Sequence, residues 1–427
     1  MILASFFRGE ALQPFKNLIA LGSVQLTNYL LPLATLPYLI RVVGIENFGM
    51  VSLVQSVMLY LLLIADYGFN FTTTMEISVH KENSNAINHI VSGTMATKFL
   101  LLLLSFISLL ILQIFITRFH SHGVLFLFGF SIVIGQAFFP MWFFQGVEKL
   151  KYIAWLNLIS RCILTALIFI FINEPSDYIY ILPIYGFGNL VATLIGLMVM
   201  ILKFNVKLQF PQWIDVKVHL KKGWPVFISS IANNTYVNSG IVILSFFASD
   251  LVVGFYSVAD KILLIFRQMM VVVAQAVYPA ICRLMGDRDK LLEMIKGIFI
   301  PFFVGIAVSC LFILIFPSFV TMVLTGKRTI EIVVLLRLLS LAPIIMVMGV
   351  PFNQLLMATD HRKESMRVYL MTAFFSIMAN VILAEFLLQN GIAMGVLLSE
   401  IFITYSLITT SNKKQKLITI RELTKIR

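Results

Sequence analysis

The chain has 427 residues and a net charge of +12; 59% of its residues are hydrophobic and 12% are charged. Its mean hydropathy is +0.95. A soluble protein would carry charges on about a quarter of its residues, so this composition excludes a water-soluble fold. The positive charge does not require a nucleic-acid partner, because lysines and arginines beside anionic lipid headgroups account for it. We therefore expect a membrane protein that does not bind nucleic acid.

The apolar segments, taken in chain order, predict an all-α polytopic membrane protein with about twelve transmembrane helices. About 20 helical residues cross a 30 Å hydrocarbon core, and the apolar segments have that length. The first segment lacks a small-residue cleavage site, which favours a membrane helix over a cleaved signal. The predicted helices cover residues 17–39, 49–69, 91–116, 124–144, 153–172, 179–202, 224–247, 252–278, 297–316, 330–350, 368–388 and 391–410.

The distribution of lysine and arginine predicts how these helices are oriented. If the N-terminus is cytoplasmic, most basic loop residues fall on the cytoplasmic side, as they do in membrane proteins generally. The opposite loops would hold Arg41, Arg118, Lys327 and Arg328. Because both ends of the chain are basic, we expect both termini in the cytoplasm.

The second half of the chain repeats features of the first half. The longest hydrophilic connection, a cytoplasmic linker at 203–223, separates an N-terminal six-helix bundle (1–202) from a C-terminal one (224–411), and a basic cytoplasmic tail follows at 412–427. A shift of 205 positions places Gly49 on Gly254 and Asn28 on Asn233. Because six is an even number, the bundles would share one orientation, which makes the internal repeat parallel.

Polar side chains recur on one face of the first helix of each half. Gln25 and Asn28 lie in the first predicted helix, and Asn233 lies in the seventh. Such residues either form contacts between helices or line a water-filled cavity. The matching pattern in the two halves favours a cavity.

Ionisable side chains inside membrane helices are costly, which makes them candidates for function. Asp260, Lys261 and Arg267 lie in the eighth predicted helix. Asp260 and Arg267 are too far apart for a direct ion pair but share one face and could line one cavity. They would bind an anionic substrate or coupling ions, or would be neutralised by other helices. Further candidates near or within helices are Arg41, Lys98, Arg161, Asp66, Glu385 and Glu400. Of these, Lys98 and Arg161 lie near predicted cytoplasmic helix ends and could extend toward headgroups.

No motif predicts catalysis or a cofactor. The sequence lacks a Walker A motif, so we expect neither ATP-driven transport by this chain nor an enzyme activity. His120 and His122 have no third ligand nearby in the sequence. The three cysteines, Cys162, Cys282 and Cys310, have spacings that predict neither a disulfide framework nor a metal site.

One segment resembles a family signature. Residues 139–148, Phe-Pro-Met-Trp-Phe-Phe-Gln-Gly-Val-Glu, are similar to the Pro-x-Trp-x-x-Gln-Gly-x-Glu motif of Wzx-type O-antigen flippases. Those proteins belong to the multidrug/oligosaccharidyl-lipid/polysaccharide exporter superfamily. Segments 47–49, 65–69, 254–262 and 336–339 also resemble the superfamily, so the resemblance extends over nearly the whole chain.

This resemblance implies two six-helix bundles around a cavity walled largely by helices 1, 2, 7 and 8. It implies alternating access that moves an undecaprenyl-diphosphate-linked oligosaccharide, such as an O-antigen repeat unit, across the bacterial inner membrane. Contact with the polysaccharide polymerase machinery is a further expectation. By analogy, phosphate or sugar would contact Arg267, Lys261 and Arg41. Coupling to H⁺ or Na⁺ would involve Asp66, Asp260 and Glu400.

Two other functions are open at this stage. A cation-coupled multidrug exporter of the same superfamily would share the helix count and the repeat, although basic groups within the helices would repel cationic drugs. A membrane polysaccharide polymerase or ligase usually carries a large external loop. The longest candidate loop here, 316–330, is short for that role.

Overall fold

The computed structural model describes residues 34–415, and over that range the regular structure is entirely helical. The predicted all-α membrane fold is therefore confirmed at the level of its class. Gln25, Asn28, most of the first predicted helix and most of the predicted basic tail lie outside the described residues.

Sixteen helices, numbered here in chain order, make up the described part of the chain. They are α1 Ala34–Val43, α2 Ile45–Asp66, α3 Phe69–Val79, α4 Ser84–Phe115, α5 Thr117–Ser121, α6 Gly123–Ala137, α7 Met141–Gly146, α8 Leu150–Phe171, α9 Tyr178–Lys203, α10 Trp213–Phe247, α11 Asp250–Leu284, α12 Arg288–Ile315, α13 Pro317–Thr325, α14 Ile330–Leu339, α15 Ala342–Ala358 and α16 Arg362–Gln415.

Nine stretches between residues 34 and 415 are long and apolar enough to cross a membrane. Helix α10 is not among them, because lysines and a run of amide and hydroxyl side chains lower its hydropathy. The count of twelve therefore stays a prediction at this point.

Helix α16 is a hairpin of two antiparallel helices. Its 54 residues are interrupted at Leu388, whose φ of 49° and ψ of −125° are not helical. Phe375 and Phe402 lie on opposite sides of this break, and their rings stack with centroids 4.7 Å apart. At the far end, Glu364 and Lys414 form an ion pair of 3.3 Å. These contacts fit the two predicted helices at 368–388 and 391–410.

Three predicted boundaries need correction. The second predicted helix extends from Ile45 to Val79, with a break at Tyr67 and Gly68, where both residues have positive φ. Only residues 204–212 of the predicted linker are non-helical, because Gln212 and Asp215 form a capping box that starts α10. The predicted external loop at 316–330 is largely helical, since it contains α13.

Candidate functional site

A cavity of about 1150 Å³ lies between the two halves of the chain. Helices α2, α6, α8 and α9 contribute side chains from the first half, and α10, α11, α15 and α16 contribute side chains from the second half. The second, seventh and eighth predicted helices correspond to α2, α10 and α11. These three helices line the cavity, as the resemblance implies.

The cavity wall is rich in amide side chains. Amides both donate and accept hydrogen bonds, which suits a ligand that carries many hydroxyl groups. Asn234 and Asn238 are joined by a 3.2 Å hydrogen bond, so part of this wall is already ordered. The amide residues of the lining are Gln55, Gln136, Asn189, Asn233, Asn234, Asn238, Gln268, Gln275, Asn353 and Gln354.

Arg267 and Glu400 form an ion pair within the cavity wall. The guanidinium Nη2 lies 3.3 Å from Glu400 Oε1, and Nη1 donates to the Val237 carbonyl at 2.9 Å. The guanidinium also lies 5.8 Å from the ring centroid of Tyr236. Because the Glu400 side chain is only 1% exposed, its charge depends on Arg267 for compensation.

Asp260, Lys261 and Arg161 also line the cavity. Among residues 34–415, none of these three side chains takes part in an ion pair or hydrogen bond. Arg161 comes from the first half of the chain and Lys261 from the second, so each half presents to the cavity one cation that forms no ion pair within residues 34–415. Asp260 and Arg267 share the cavity without pairing, as their spacing predicted.

Lys98 and Asp66 form an ion pair outside the cavity. Lys98 Nζ lies 2.7 Å from Asp66 Oδ1 and 2.8 Å from the Ala137 carbonyl, and Lys98 is 1% exposed. Asn70 donates a further 2.8 Å bond to Asp66. The expectation that Lys98 extends toward headgroups is wrong, because its buried ammonium group is bound by the partly buried Asp66 carboxylate within the first half.

Arg41 and Glu385 also lie away from the cavity. Arg41 donates to the carbonyl oxygens of Met322 and Val323, which belong to α13 in the second half. Glu385 is exposed on the α16 hairpin, near its break at Leu388. Neither residue can contact a ligand in the cavity as the chain is folded here.

Helices α2 and α11 cross closely at one end of the molecule, here named the Gly49 end, which holds Gly49, Gly254, Arg118 and Asp250. A Cβ atom on Gly49 would lie 2.6 Å from the Gly254 backbone nitrogen. Arg118, from the first half, forms an ion pair with Asp250 and donates to the Ala248 carbonyl at 2.6 Å. The cavity is thus shut at this end by contacts between the halves.

The opposite end, here named the Lys222 end, holds Glu76, Lys222 and the linker. Its cavity lining includes Phe71, Tyr278 and Met357. Beside the cavity, Lys222 and Glu76 form a 2.6 Å ion pair between the halves, and the rings of Tyr67 and Phe227 stack at 4.6 Å.

Sequence reasoning missed the contacts that join the halves. The sequence places Arg118 in a predicted external loop and gives no signal for Asp250, because the two residues are 132 positions apart. His122, for which the sequence predicts no metal site, has its Nε2 atom 3.3 Å from Asp250 Oδ2. Within residues 34–415, no group of three or more histidine, cysteine, aspartate or glutamate side chains could hold a metal ion.

The fold is that of known membrane transporters. A solved structure of the lipid II flippase MurJ in an inward closed conformation has a TM-score of 0.74 and 15% identity, covering 95% of this chain and 88% of that one. A multidrug resistance MATE family transporter of the MOP superfamily, in an inward-facing conformation, has a TM-score of 0.71 and 14% identity, covering 92% and 98%. At such identities, the likeness concerns the fold alone.

The family follows from the sequence comparison. Residues 15–285 match the polysaccharide biosynthesis protein family, and the chain belongs to that family. A relative from Escherichia coli (strain K12), named "Putative O-antigen transporter", is 28% identical over 392 residues, which is 91% of this chain and 94% of that protein. The family resemblance carried by residues 139–148 is therefore confirmed.

Proposed function

We propose that this protein is a flippase that moves undecaprenyl-diphosphate-linked oligosaccharide repeat units, of O-antigen or a similar surface polysaccharide, across the bacterial inner membrane. The observation that carries this proposal is the cavity between the halves, lined by many amides and by two cations that form no ion pair within residues 34–415. Its volume of about 1150 Å³ exceeds the usual range for drug-sized ligands, which suits a larger headgroup.

The chemistry of the lining matches the two parts of such a headgroup. The amides suit the hydroxyl groups of a glycan. A diphosphate is anionic and is stabilised by cations in a site of low dielectric constant. Lys261 and Arg161 are the cations we assign to it, because Arg267 is already compensated by Glu400. The lipid tail would remain in the bilayer.

The proposed architecture has twelve transmembrane helices in two bundles, 1–202 and 224–411, with linker 203–223, tail 412–427 and both termini in the cytoplasm. Three observations support it. The α16 hairpin supplies two helices, and α10 supplies one that hydropathy alone does not identify. Helix α1 covers the last residues of the first predicted transmembrane helix. In this orientation the Gly49 end faces outward and the Lys222 end faces the cytoplasm.

Alternating access would then proceed by breaking one set of contacts between the halves. The state described here is shut at the Gly49 end, so the headgroup would enter from the cytoplasmic side. To release it outside, the α2–α11 crossing and the Arg118–Asp250 pair must separate. For coupling to H⁺ or Na⁺ we propose Asp260 and Glu400, since both lie in the cavity wall. Asp66 is bound by Lys98, and Glu385 lies outside the cavity.

The test is deletion of the gene in a strain that makes one surface polysaccharide and carries no second flippase of this family. We expect surface polymer to be lost and lipid-linked repeat units to accumulate in the inner leaflet. Plasmid-borne wild type should restore the polymer, whereas the Lys261→Gln variant, produced at the same level, should not. Normal polymer in the deletion strain would overturn the proposal.

A multidrug exporter remains the second candidate, because one carboxylate in the cavity, Asp260, has no ion-pair partner within residues 34–415 and could attract a cation. Efflux of a cationic dye from cells that produce the protein separates the two functions. We expect efflux at the level of the empty vector. Strong efflux that is lost in Asp260→Asn would favour the exporter.

A further inference from the structure

A second cavity, of about 340 Å³, lies at the Lys222 end and is separate from the central one. It is formed by the connection between α3 and α4, the connection between α7 and α8, and the start of the linker after α9. Its polar lining consists of Lys81, Glu82, Ser84, Asn88, Lys149 and Asn205. Lys81 forms a 3.4 Å ion pair with Glu148, which leaves Lys149 as the lining lysine without an ion pair among residues 34–415. We call it the basic pocket.

Further lysines stand around the basic pocket. The ammonium groups of Lys151 and Lys203 lie 5.8 and 5.4 Å from the ring centroid of Tyr152. The Tyr152 ring in turn packs against Phe204, a residue of the pocket wall, with ring centroids 5.8 Å apart. Within residues 34–415, neither of these lysines forms an ion pair, nor does Lys149. Lys149 therefore lines the pocket, and Lys151 and Lys203 lie beside it, around Tyr152.

The floor of the basic pocket is the segment that carries the family signature. Phe143 lines the pocket, and Trp142, Phe143 and Phe144 are all buried. Phe144 stacks on Tyr152 at 5.2 Å, which connects this floor to the lysine cluster. The signature residues thus do not line the central cavity; they hold the pocket in shape.

The linker closes the pocket from the other side and is fixed by two hydrogen bonds to α4. The backbone nitrogen of Lys207 donates to Asn88 Oδ1 at 2.9 Å, and that of Gln209 donates to Ser92 Oγ at 2.8 Å. These two bonds hold the linker backbone against α4 at the edge of the pocket.

Apolar side chains next to the pocket are exposed. Leu202, Leu208 and Phe210 flank Lys203 and the linker, and all three are more than half exposed. Lys203 is the last residue of α9, so this surface lies where a membrane helix ends. A cluster of lysines beside a membrane helix is typical of sites that bind anionic lipid headgroups. Exposed apolar residues at the same level would contact the acyl chains.

We propose that the basic pocket binds the phosphate of an anionic phospholipid headgroup in the adjoining leaflet. The phosphate lies among Lys149, Lys151 and Lys203, with Asn88 and Ser84 as further polar contacts, and the acyl chains lie along Leu202 and Phe210. The bound lipid fastens the linker that joins the halves. The proposal does not depend on what the central cavity transports.

The experiment is native mass spectrometry of the purified full-length protein with phosphatidylglycerol and, separately, phosphatidylcholine. The pocket variant combines Lys149→Gln, Lys151→Gln and Lys203→Gln. The control variant removes the same charge from exposed lysines elsewhere, by Lys217→Gln, Lys221→Gln and Lys363→Gln. We expect the pocket variant to bind phosphatidylglycerol at least about tenfold more weakly than wild type, and the control variant to bind it as wild type does. Thermal unfolding in detergent checks that both variants are folded.

Competing ligands identify the source of the phosphate. If undecaprenyl phosphate binds through the pocket lysines and phosphatidylglycerol does not, the pocket is a substrate site and the proposal of a resident phospholipid is wrong. If millimolar inorganic phosphate displaces the lipid, the pocket is a site for soluble anions, which also overturns it. Equal weakening in the pocket and control variants would show that only overall charge matters, and would contradict a defined site.

Discussion

Gly49 of α2 and Gly254 of α11 lie against each other, and the same two residues correspond under the 205-residue shift that relates the halves of the sequence. A Cβ atom on Gly49 would lie 2.7 Å from the Gly254 Cα atom. When equivalent positions of two repeats touch, the axis that relates the repeats passes between them. If the halves are related as the shift predicts, their axis passes through this contact at the crossing of α2 and α11, which shuts the cavity.

Replacing Gly49 with leucine should prevent the closed crossing. The new side chain would meet backbone atoms of α11, which cannot move as a flexible side chain could, and overpacking of this kind costs about 1–3 kcal/mol. We expect a loss of polysaccharide export at normal protein levels. Gly305→Leu is the matched control, because a Cβ at Gly305 meets nothing within 4 Å. Equal export by the two variants would contradict a role for the crossing.

Two arginine contacts flank this crossing and nearly correspond under the same shift, which places Arg41 on Phe246, two residues before Ala248. Arg118 donates to the Ala248 carbonyl, and Arg41 donates to the carbonyl of Val323, whose position corresponds to Arg118 under the repeat. We expect Asp250→Asn, which weakens the hold on Arg118, to favour the outward-open state. The measurement is labelling by a membrane-impermeant maleimide of Asn238→Cys in a cysteine-free background.

The expected result is labelling several times faster in Asp250→Asn than in the parent protein. Asp177→Asn serves as the control, because the Asp177 carboxylate accepts from the backbone nitrogens of Asn173 and Glu174 in its own turn. Unchanged labelling of Asn238→Cys in the Asp250 variant would mean that the pair does not hold the cavity shut.

The Lys98–Asp66 pair should contribute to stability rather than to ion coupling. Lys98→Met leaves the Asp66 carboxylate without its cation, which costs about 3 kcal/mol for a buried pair. We expect a lower unfolding temperature in detergent, with partial recovery in the double variant Lys98→Met/Asp66→Asn. Lys290→Met breaks an exposed pair with Asp287 and should have little effect. A double variant as stable as wild type but unable to export polymer would instead support coupling through Asp66.

Lys261 and Arg161 should determine the binding of the anionic headgroup. Loss of a hydrogen bond to a charged group weakens binding by about tenfold or more. We expect Lys261→Gln and Arg161→Gln each to reduce polymer export to that extent, and Lys261→Arg to retain most of it. Arg328→Gln, an exposed cation outside the cavity, is the control. Normal export in both glutamine variants would remove these residues from the proposed site.

His219 should make the contact between the halves at the Lys222 end sensitive to pH. It is buried against Gly93 and Phe69, and this burial lowers its pKa below the usual 6.5, although Glu76 and Asp215 oppose the shift. Lys222 and His89 act in the same direction as burial. Because the unfolded chain then binds a proton more readily than the folded one, stability falls as pH drops below about 6.5.

The measurement for His219 is the unfolding temperature in detergent at pH 7.5 and pH 5.5. We expect wild type to lose more stability on acidification than His219→Gln does. His120→Gln, which changes an exposed histidine, should follow wild type. An identical decrease in wild type and His219→Gln would show that another group is responsible.

The helical membrane fold could be predicted from the sequence because each crossing needs about 20 apolar residues, and such runs are visible without knowledge of neighbours. The membrane part of α10 is predicted at 224–247 as one of these apolar runs, although its polar residues lower the hydropathy of the helix. The start of α10 at Trp213 was missed, because a capping box acts locally and lies within a hydrophilic segment.

The site could be predicted only in part. The sequence predicts that Asp260 and Arg267 line one cavity, because residues seven positions apart lie on the same face of a helix, about two turns apart. The partner of Arg267 is Glu400, which is 133 positions away, and no periodicity connects residues at that distance. For the same reason, the sequence could not distinguish Lys98, which is bound by Asp66, from Lys261, which faces the cavity.

The most direct test of the flippase proposal is reconstitution of the purified protein into liposomes that contain an undecaprenyl-diphosphate oligosaccharide with a terminal galactose. Galactose oxidase added outside reports the fraction of headgroups exposed on the outer leaflet. We expect substrate confined to the inner leaflet to become accessible in wild-type liposomes, to become accessible about tenfold more slowly with Lys261→Gln, and to remain protected without protein. Protection that persists with folded wild-type protein, with and without a proton or sodium gradient, would contradict the account.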